Sequence, residues 1–519
     1  MWRAGSAARS RVRRYAAAAL VLGAVGVMVP PPALATPEAD ATQRYGGAPA
    51  WGGCENWVGD TTGIPTAQCA TVAVPADWAA DDAGIESPGA PVQLAVIRIP
   101  ATGERIGALM VNPGGPGASA VTTVAGMGAA LADTELLRRF DLVGFDPRGS
   151  GASTPELRCR TDAEFDAWRR EPMTDYSPAG VARIEDLYRQ FGQRCLDRMG
   201  APALSGMATA TTARDMDVVR AALGDEQINY LGFSYGTVLG AEYAERFGDR
   251  VRAMVLDGAV DPNMDPIERS VRQMAGFQAA FDEYAADCAQ SAGCPLGTDP
   301  AQFVTRFREL VDPLVAEPGR TADPRGLSYS DAITGTVSAL YSKRYWLYLT
   351  SGLLGLQRGT DADDLLTLAD QYLHRDAQGH YSNQQDVSSA VRCVDSAFPT
   401  DPAAWVDADR RVRDAAPFAT YGEFTGFAPR DLCAMWPVPP SPSPPVSPAP
   451  PGTVVVVSTT RDPATPYQAG VDLAADLGAA LVTFDGSQHT VVFNGDACVD
   501  TTILAFLTDL TEPPAGLRC

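Results

Sequence analysis

Ile228-Asn229-Tyr230-Leu231-Gly232-Phe233-Ser234-Tyr235-Gly236-Thr237 decides how the chain is read. An apolar, β-branched and aromatic run breaks at a glycine, meets a serine, and continues in small residues at helical spacing. A buried strand therefore turns sharply into a helix at Gly-x-Ser-x-Gly. Such a turn is strained, its flanking glycines give it room, and it pushes the Ser234 hydroxyl into the open as a candidate nucleophile.

Further runs of the same kind lie on both sides. Val92–Ile99, 106–111, Phe140–Phe145 and 251–256 read as strands, and the second ends in Asn112-Pro113-Gly114-Gly115-Pro116-Gly117. Helical stretches alternate with them. In one, Thr211 or Thr212 is the expected N-cap, Met216, Val219 and Leu223 share a face, and Gly224 ends the helix. Strands alternating with helices imply an α/β fold, a mostly parallel central sheet with helices on both faces.

From about 262 to 436 the pattern becomes helical and rich in aromatics, with no strand repeat. Residues 437–452 are proline-rich and expected to be extended. Apolar strands resume at 454–457 and 480–484. The simplest organisation is one α/β core in two parts, 36–261 and 453–519, interrupted by a helical cap over 262–436 and rejoined by the 437–452 connector.

A serine needs a base and the base needs an acid. The chain has three histidines. His374 and His380 sit in a polar stretch and read as surface residues. His489 follows the last strand and precedes a helix, in the order Ser, Asp, His. Asp462 lies just past the strand that starts at Val454, on the edge where open α/β sheets build their sites. Thr465 and Pro466 read as the N-cap and first residue of the helix that follows. Asp257, at the end of the 251–256 strand, is the alternative acid. Backbone N–H groups of Tyr235 and of Gly115, with Gly114 as the alternative, suit an oxyanion hole, because Pro116 has no N–H. The glycine loop lacks the lysine and spacing of a phosphate-binding loop. Asp146 and Arg148 read as residues that fix the turn after the Phe140–Phe145 strand.

The first 35 residues read as a secretory signal peptide: Arg3, Arg9, Arg11, Arg13 and Arg14, an apolar run over 16–29, and Ala33-Leu34-Ala35 as cleavage signal. Its removal takes away five arginines and no acids, so the formal charge of −22 becomes −27. That excludes nucleic acid as a partner on electrostatic grounds. No later segment is long and apolar enough to anchor in a membrane. Ten cysteines in an exported chain suggest a disulfide framework, and pairing of neighbours gives Cys54–Cys69, Cys159–Cys195, Cys288–Cys294, Cys393–Cys433 and Cys498–Cys519. With no CxxC pair and three histidines, neither a metal nor another cofactor is called for.

NPGGPG (112–117), GFDPRGSGAST (144–154), INYLGFSYGT, VVSTTRDPATPY (456–467) and the segment around His489 together resemble the secreted tripeptidyl aminopeptidases, a branch of the α/β-hydrolases related to prolyl aminopeptidases. The resemblance covers about 90–260 and 450–510 in order. It implies an α/β-hydrolase fold with an inserted helical lid. It also implies a serine peptidase acting through an acyl-enzyme on peptides with a free N-terminus, or alternatively a carboxylesterase with the same Ser234, Asp462 and His489. One departure is Gln488, where the family pattern before the histidine has glycine. The family's lid acids bind the substrate ammonium, and Asp395, beside Cys393, is the candidate here; an ordinary helix position is the competing reading.

Overall fold

The computed structural model describes residues 42–85 and 89–519. The expected signal peptide, 1–35, lies outside these residues, and everything below concerns the unit from Pro37 onward.

Val454-Val455-Val456-Val457 shows why the sheet is covered on both faces. Side chains alternate across a strand. Val454 and Val456 pack with Met110, Tyr230 and Leu239 on one face, and Val455 and Val457 with Val111, Leu231 and Phe506 on the other. The strand is buried along its whole length.

Among the described residues, eight strands form one sheet: β1 (Gln68–Val74), β2 (Val92–Ile99), β3 (Gly107–Asn112), β4 (Phe140–Phe145), β5 (Ile228–Phe233), β6 (Val251–Asp257), β7 (Val454–Thr459) and β8 (Ala480–Phe484). Their order is β1-β2-β4-β3-β5-β6-β7-β8, antiparallel at β1–β2 and β2–β4 and parallel from β4 to β8. The chain leaves β3 toward β4 on one side and returns to β5 on the other. The crevice of an open parallel sheet opens where the strand order reverses in this way. Here Asn112 of β3 pairs with Gly232 of β5. The glycine-rich loop and the Gly-x-Ser-x-Gly turn therefore leave the sheet side by side.

Between β6 and β7 the described chain is helical with no strand in the sheet. Phe281, Phe307 and Phe418 centre its core, with Phe281 stacked on Phe418 at 4.9 Å. Helix Pro178–Met199, from the β4–β5 connection, contributes Phe191 and Cys195 to a cluster with Val387, Val391 and Trp436. The helical layer thus draws on two stretches of sequence. The cysteines join as the five neighbour pairs, with separations of 15, 36, 6, 40 and 21 residues. Among the described residues, no helix is long and apolar enough to cross a membrane.

Two helix starts differ from expectation. The helix assigned to Thr211 or Thr212 as cap begins at Thr209, with Ala208 at the N-cap and no side-chain bond from it. The carboxylate of Asp395 supplies that bond instead, from another helix. The helix after β7 begins at Tyr467, with Pro466 at the N-cap, so Thr465 stays outside it and faces the site.

Candidate active site

Ser234 sits between β5 and helix Tyr235–Phe247 at φ 55° and ψ −123°. This conformation is rare for a residue with a side chain and persists only where its surroundings enforce it. The Ser234 N–H donates to the Asp257 carbonyl (2.9 Å), and the Ser234 carbonyl accepts from the Thr237 N–H (2.9 Å) and hydroxyl (2.7 Å). A Cβ on Gly232 would meet the Gly236 carbonyl at 2.4 Å, and one on Gly236 would meet the Asn112 carbonyl at 2.7 Å. Both flanking glycines are sterically required.

The oxyanion-hole candidates lie against this turn. A Cβ on Gly114 would fall 2.9 Å from Ser234 Cβ and 3.0 Å from the Tyr235 nitrogen. The Gly114 N–H donates to Asn112 Oδ1 at 2.9 Å, which leaves Gly115 as the better donor of the two. Gly115 and Ser234 line the same cleft.

The structure brings Asp462 and His489 together. His489 Nδ1 lies 3.0 and 2.9 Å from the two Asp462 oxygens. Asp462 Oδ1 also accepts from the Ala464 and Thr465 N–H groups (both 2.9 Å), and Oδ2 from the Thr465 hydroxyl (3.0 Å). The Asp462 side chain is fully buried. With Nδ1 donating to Asp462, a neutral imidazole keeps its accepting lone pair on Nε2. Burial works against a charged His489, but the charge and hydrogen bond of Asp462, with a further contribution from Asp257, outweigh it and raise its pKa above 6.5.

Asp257, the alternative acid, takes a different place. Its Oδ2 accepts the Val491 and Val492 N–H groups, both at 2.7 Å, and not the imidazole. Asp146 holds the turn after β4, whereas Arg148 reaches out of it to a helix packed beside it. Asp146 accepts from the Ser119 hydroxyl and the Val121 and Ala152 N–H groups, and Arg148 forks onto Asp215 with two bonds of 2.7 Å. His374 and His380 are exposed.

Gln488 is tolerated for a visible reason. The left-handed residues of its loop are Thr490 (φ 62°) and Phe493 (φ 57°), so position 488 does not need glycine. The Gln488 amide donates to the Thr490 carbonyl at 2.8 Å.

Contacts from the helical layer had no sequence signal. The Tyr341 carbonyl accepts the His489 N–H (3.1 Å), and the Tyr341 ring meets the imidazole edge-on at 5.3 Å. Ser487 donates to Glu283, which is also paired with Lys343 at 2.5 Å.

A cleft of about 780 Å³ opens above Ser234 between the two layers. Asp395 lines it, as do Glu242 and Arg269. Burial pushes the Asp395 carboxyl up to about 6, against the Thr209 hydrogen bonds. The Thr209 hydroxyl is also 2.5 Å from the Tyr235 hydroxyl, so one chain of hydrogen bonds runs from Asp395 to the residue after Ser234. The proline-rich connector runs across this cleft: the Ser441 N–H donates to the Val394 carbonyl (2.7 Å) and Ser447 to Glu245, while Pro442 and Pro445 line the wall.

A model of the α/β hydrolase fold family matches residues 107–496. The chain is 64% identical over 506 residues to the carboxylesterase B of Mycobacterium tuberculosis (strain ATCC 25618 / H37Rv), covering 96% of each. It is 53% identical over 464 residues to the serine protease Hip1 of the same organism, covering 87% of each. It is 34% identical over 466 residues to the tripeptidyl aminopeptidase of Streptomyces lividans, covering 86% of this chain and 83% of that one.

Proposed function

The chain belongs to the α/β-hydrolase family, and from that premise we propose that it is an exported serine peptidase releasing short peptides, three residues in the preferred reading, from free N-termini. Ser234 attacks the scissile carbonyl and His489 Nε2 takes its proton. Asp462 holds the imidazole in the right tautomer and stabilises its charged form. The N–H groups of Tyr235 and Gly115 take the oxyanion. His489 then protonates the leaving amine, and water discharges the acyl-enzyme by the same steps in reverse order of partners. Neither a metal nor a cofactor enters these steps. Five disulfides support action outside the reducing cytoplasm.

The observation that carries the aminopeptidase reading is Asp395. A carboxylate at the wall of the Ser234 cleft has its pKa raised to about 6 by burial, against the Thr209 hydrogen bonds and the charge of Arg269 nearby, and makes no direct ion pair among the described residues. A substrate ammonium supplies that partner, with Glu242 adding negative charge beside it. The second reading is a carboxylesterase. It is favoured by the 64% identity to a protein of that name and by apolar cleft residues such as Val238, Val260 and Phe398.

The test compares three substrates: a tripeptide chromogenic amide with a free N-terminus, the same amide N-acetylated, and a short p-nitrophenyl ester, with Ser234→Ala as the blank. Fast cleavage of the free-amine amide, lost on acetylation and in the variant, is the expected result, whether or not the activated ester is also cleaved. Ester cleavage with neither amide touched moves the protein to the esterase reading.

A further inference from the structure

β6 ends at Asp257, and this one residue touches both halves of the candidate machinery. Its carbonyl oxygen accepts the Ser234 N–H at 2.9 Å. Its carboxylate Oδ2 accepts the N–H groups of Val491 and Val492, two and three residues beyond His489, at 2.7 Å each. The loop those bonds hold is strained on both sides, at Thr490 (φ 62°) and Phe493 (φ 57°), where residues with side chains rarely sit. Such backbone persists only when neighbours over-determine it. Val491 and Val492 are themselves buried, so no water competes for these N–H groups.

The carboxylate is an unusual choice for the task. Asp257 is fully buried, and among the described residues its Oδ1 has no hydrogen-bond partner. The charged groups around it are His489, which favours its ionised form, and Asp462, which opposes it.

We infer that Asp257 is a positioning residue: it sets the distance between Ser234 and His489 by fixing the elbow through its main chain and the histidine loop through its side chain. The inference rests on the assignment of Ser234, His489 and Asp462 proposed above. A displacement of about 1 Å between reacting groups costs on the order of 100-fold in rate, so a residue that ties the two segments together acts on catalysis without touching substrate. Its anion also holds the His489 pKa up, and loss of that charge alone lowers it.

The readout is the rate at which a fluorophosphonate probe labels Ser234 in the full chain, measured across pH, because it requires no knowledge of the substrate. Asp257→Ala removes both side-chain bonds, and labelling is expected to slow by about tenfold or more. Asp257→Asn keeps an oxygen for Val491 and Val492 and removes the charge. It is expected to label within about threefold of wild type at its optimum, with the acid limb of the profile moved to lower pH. The limb reads the loss of the charge beside His489, and the rate at the optimum reads the geometry, so the two effects are measured separately. Labelling of Asp257→Ala at the wild-type rate overturns the inference alone. So does an Asp257→Asn variant that folds, by circular dichroism, but labels as slowly as Asp462→Asn. If Asp257→Ala does not fold, the Asn variant decides by itself: a shifted limb without rate loss supports the inference and a tenfold loss ends it. A wild type that fails to label, or labelling that survives in Ser234→Ala, overturns the triad assignment and this inference with it.

Discussion

Asp395, the last residue of helix Gln384–Asp395, accepts hydrogen bonds from the Thr209 N–H (2.8 Å) and hydroxyl (2.5 Å) at the first turn of helix Thr209–Ala222. The same carboxylate lines the cleft above Ser234. It is a helix cap supplied across the fold and, in the proposed function, the acceptor of a substrate ammonium.

Asp395→Asn separates these two uses. An amide oxygen still caps Thr209, but the charge is gone. The KM for a free-amine tripeptide amide is expected to rise about tenfold or more, the scale of one hydrogen bond to a charged group. The kcat/KM for a p-nitrophenyl ester is expected to stay within about twofold, since an ester carries no ammonium to lose. Steady-state kinetics on both substrates checks this, and an unchanged KM for the free amine removes Asp395 from the substrate site.

The pH profile follows from His489. Burial lowers its tendency to be charged, and Asp462 and Asp257 more than reverse this, so its pKa lies above 6.5. The base must be neutral to accept the Ser234 proton, so kcat/KM falls as pH drops through a value above 6.5. Asp462→Asn takes away the main cause of the raised pKa. Its acid limb is expected at lower pH, on an activity reduced about 10⁴-fold. A limb below 6 in the wild type contradicts the assignment.

What the sequence disclosed was local. The turn at Ser234 was legible because a strand, two required glycines and a helix follow one another within ten residues. His489 was legible because the chain has so few histidines and the other two lie in polar sequence. Other non-local relationships left no trace. Thr211 and Thr212 are good caps by residue type, yet the helix starts at Thr209 because a carboxylate 186 positions away caps it. Thr465 has the chemistry of an N-cap, but its hydroxyl serves Asp462, since Pro466 ends up in the capping position. β1 was missed because its Gln68–Val74 run mixes Gln, Cys, Thr and two alanines among its valines, and it is made a strand by pairing with β2. The proline-rich connector was legible as extended chain, while its place on the cleft wall depends on anchors such as Glu245 and Val394, which lie far off in sequence.

Asp257 should be a stability cost at neutral pH. Burial, against the Val492 and Val491 N–H bonds, raises its carboxyl from 3.8 to about 6. Its folded pKa lies above the unfolded one, so its contribution is most favourable below about pH 4 and is lost as pH rises through about 6. At pH 8 that amounts to about 3 kcal/mol for a shift of this size. Asp257→Asn is therefore expected to resist urea better than wild type at pH 8, by up to that amount, with the gain gone near pH 4. Equal midpoints at both pH values would show that burial does not destabilise the anion.

Asn112 gives the sharpest contrast with Asp395. It is buried at the end of β3, its Oδ1 holds the Gly114 N–H at 2.9 Å, and its carbonyl abuts Gly236. It touches no part of the cleft where an ammonium would sit, but it sets the loop that carries Gly115. Oxyanion donors act on charge that exists only in the transition state, so losing their alignment lowers kcat and leaves ground-state binding alone. Asn112→Ala is accordingly expected to reduce kcat by about 10- to 100-fold on amide and ester alike, with KM within about twofold. Because both substrates pass through a tetrahedral oxyanion, this outcome holds under the peptidase and the esterase reading. A variant with raised KM and intact kcat would instead make the 112–117 loop a wall of the substrate site, and would leave Tyr235 without its proposed partner.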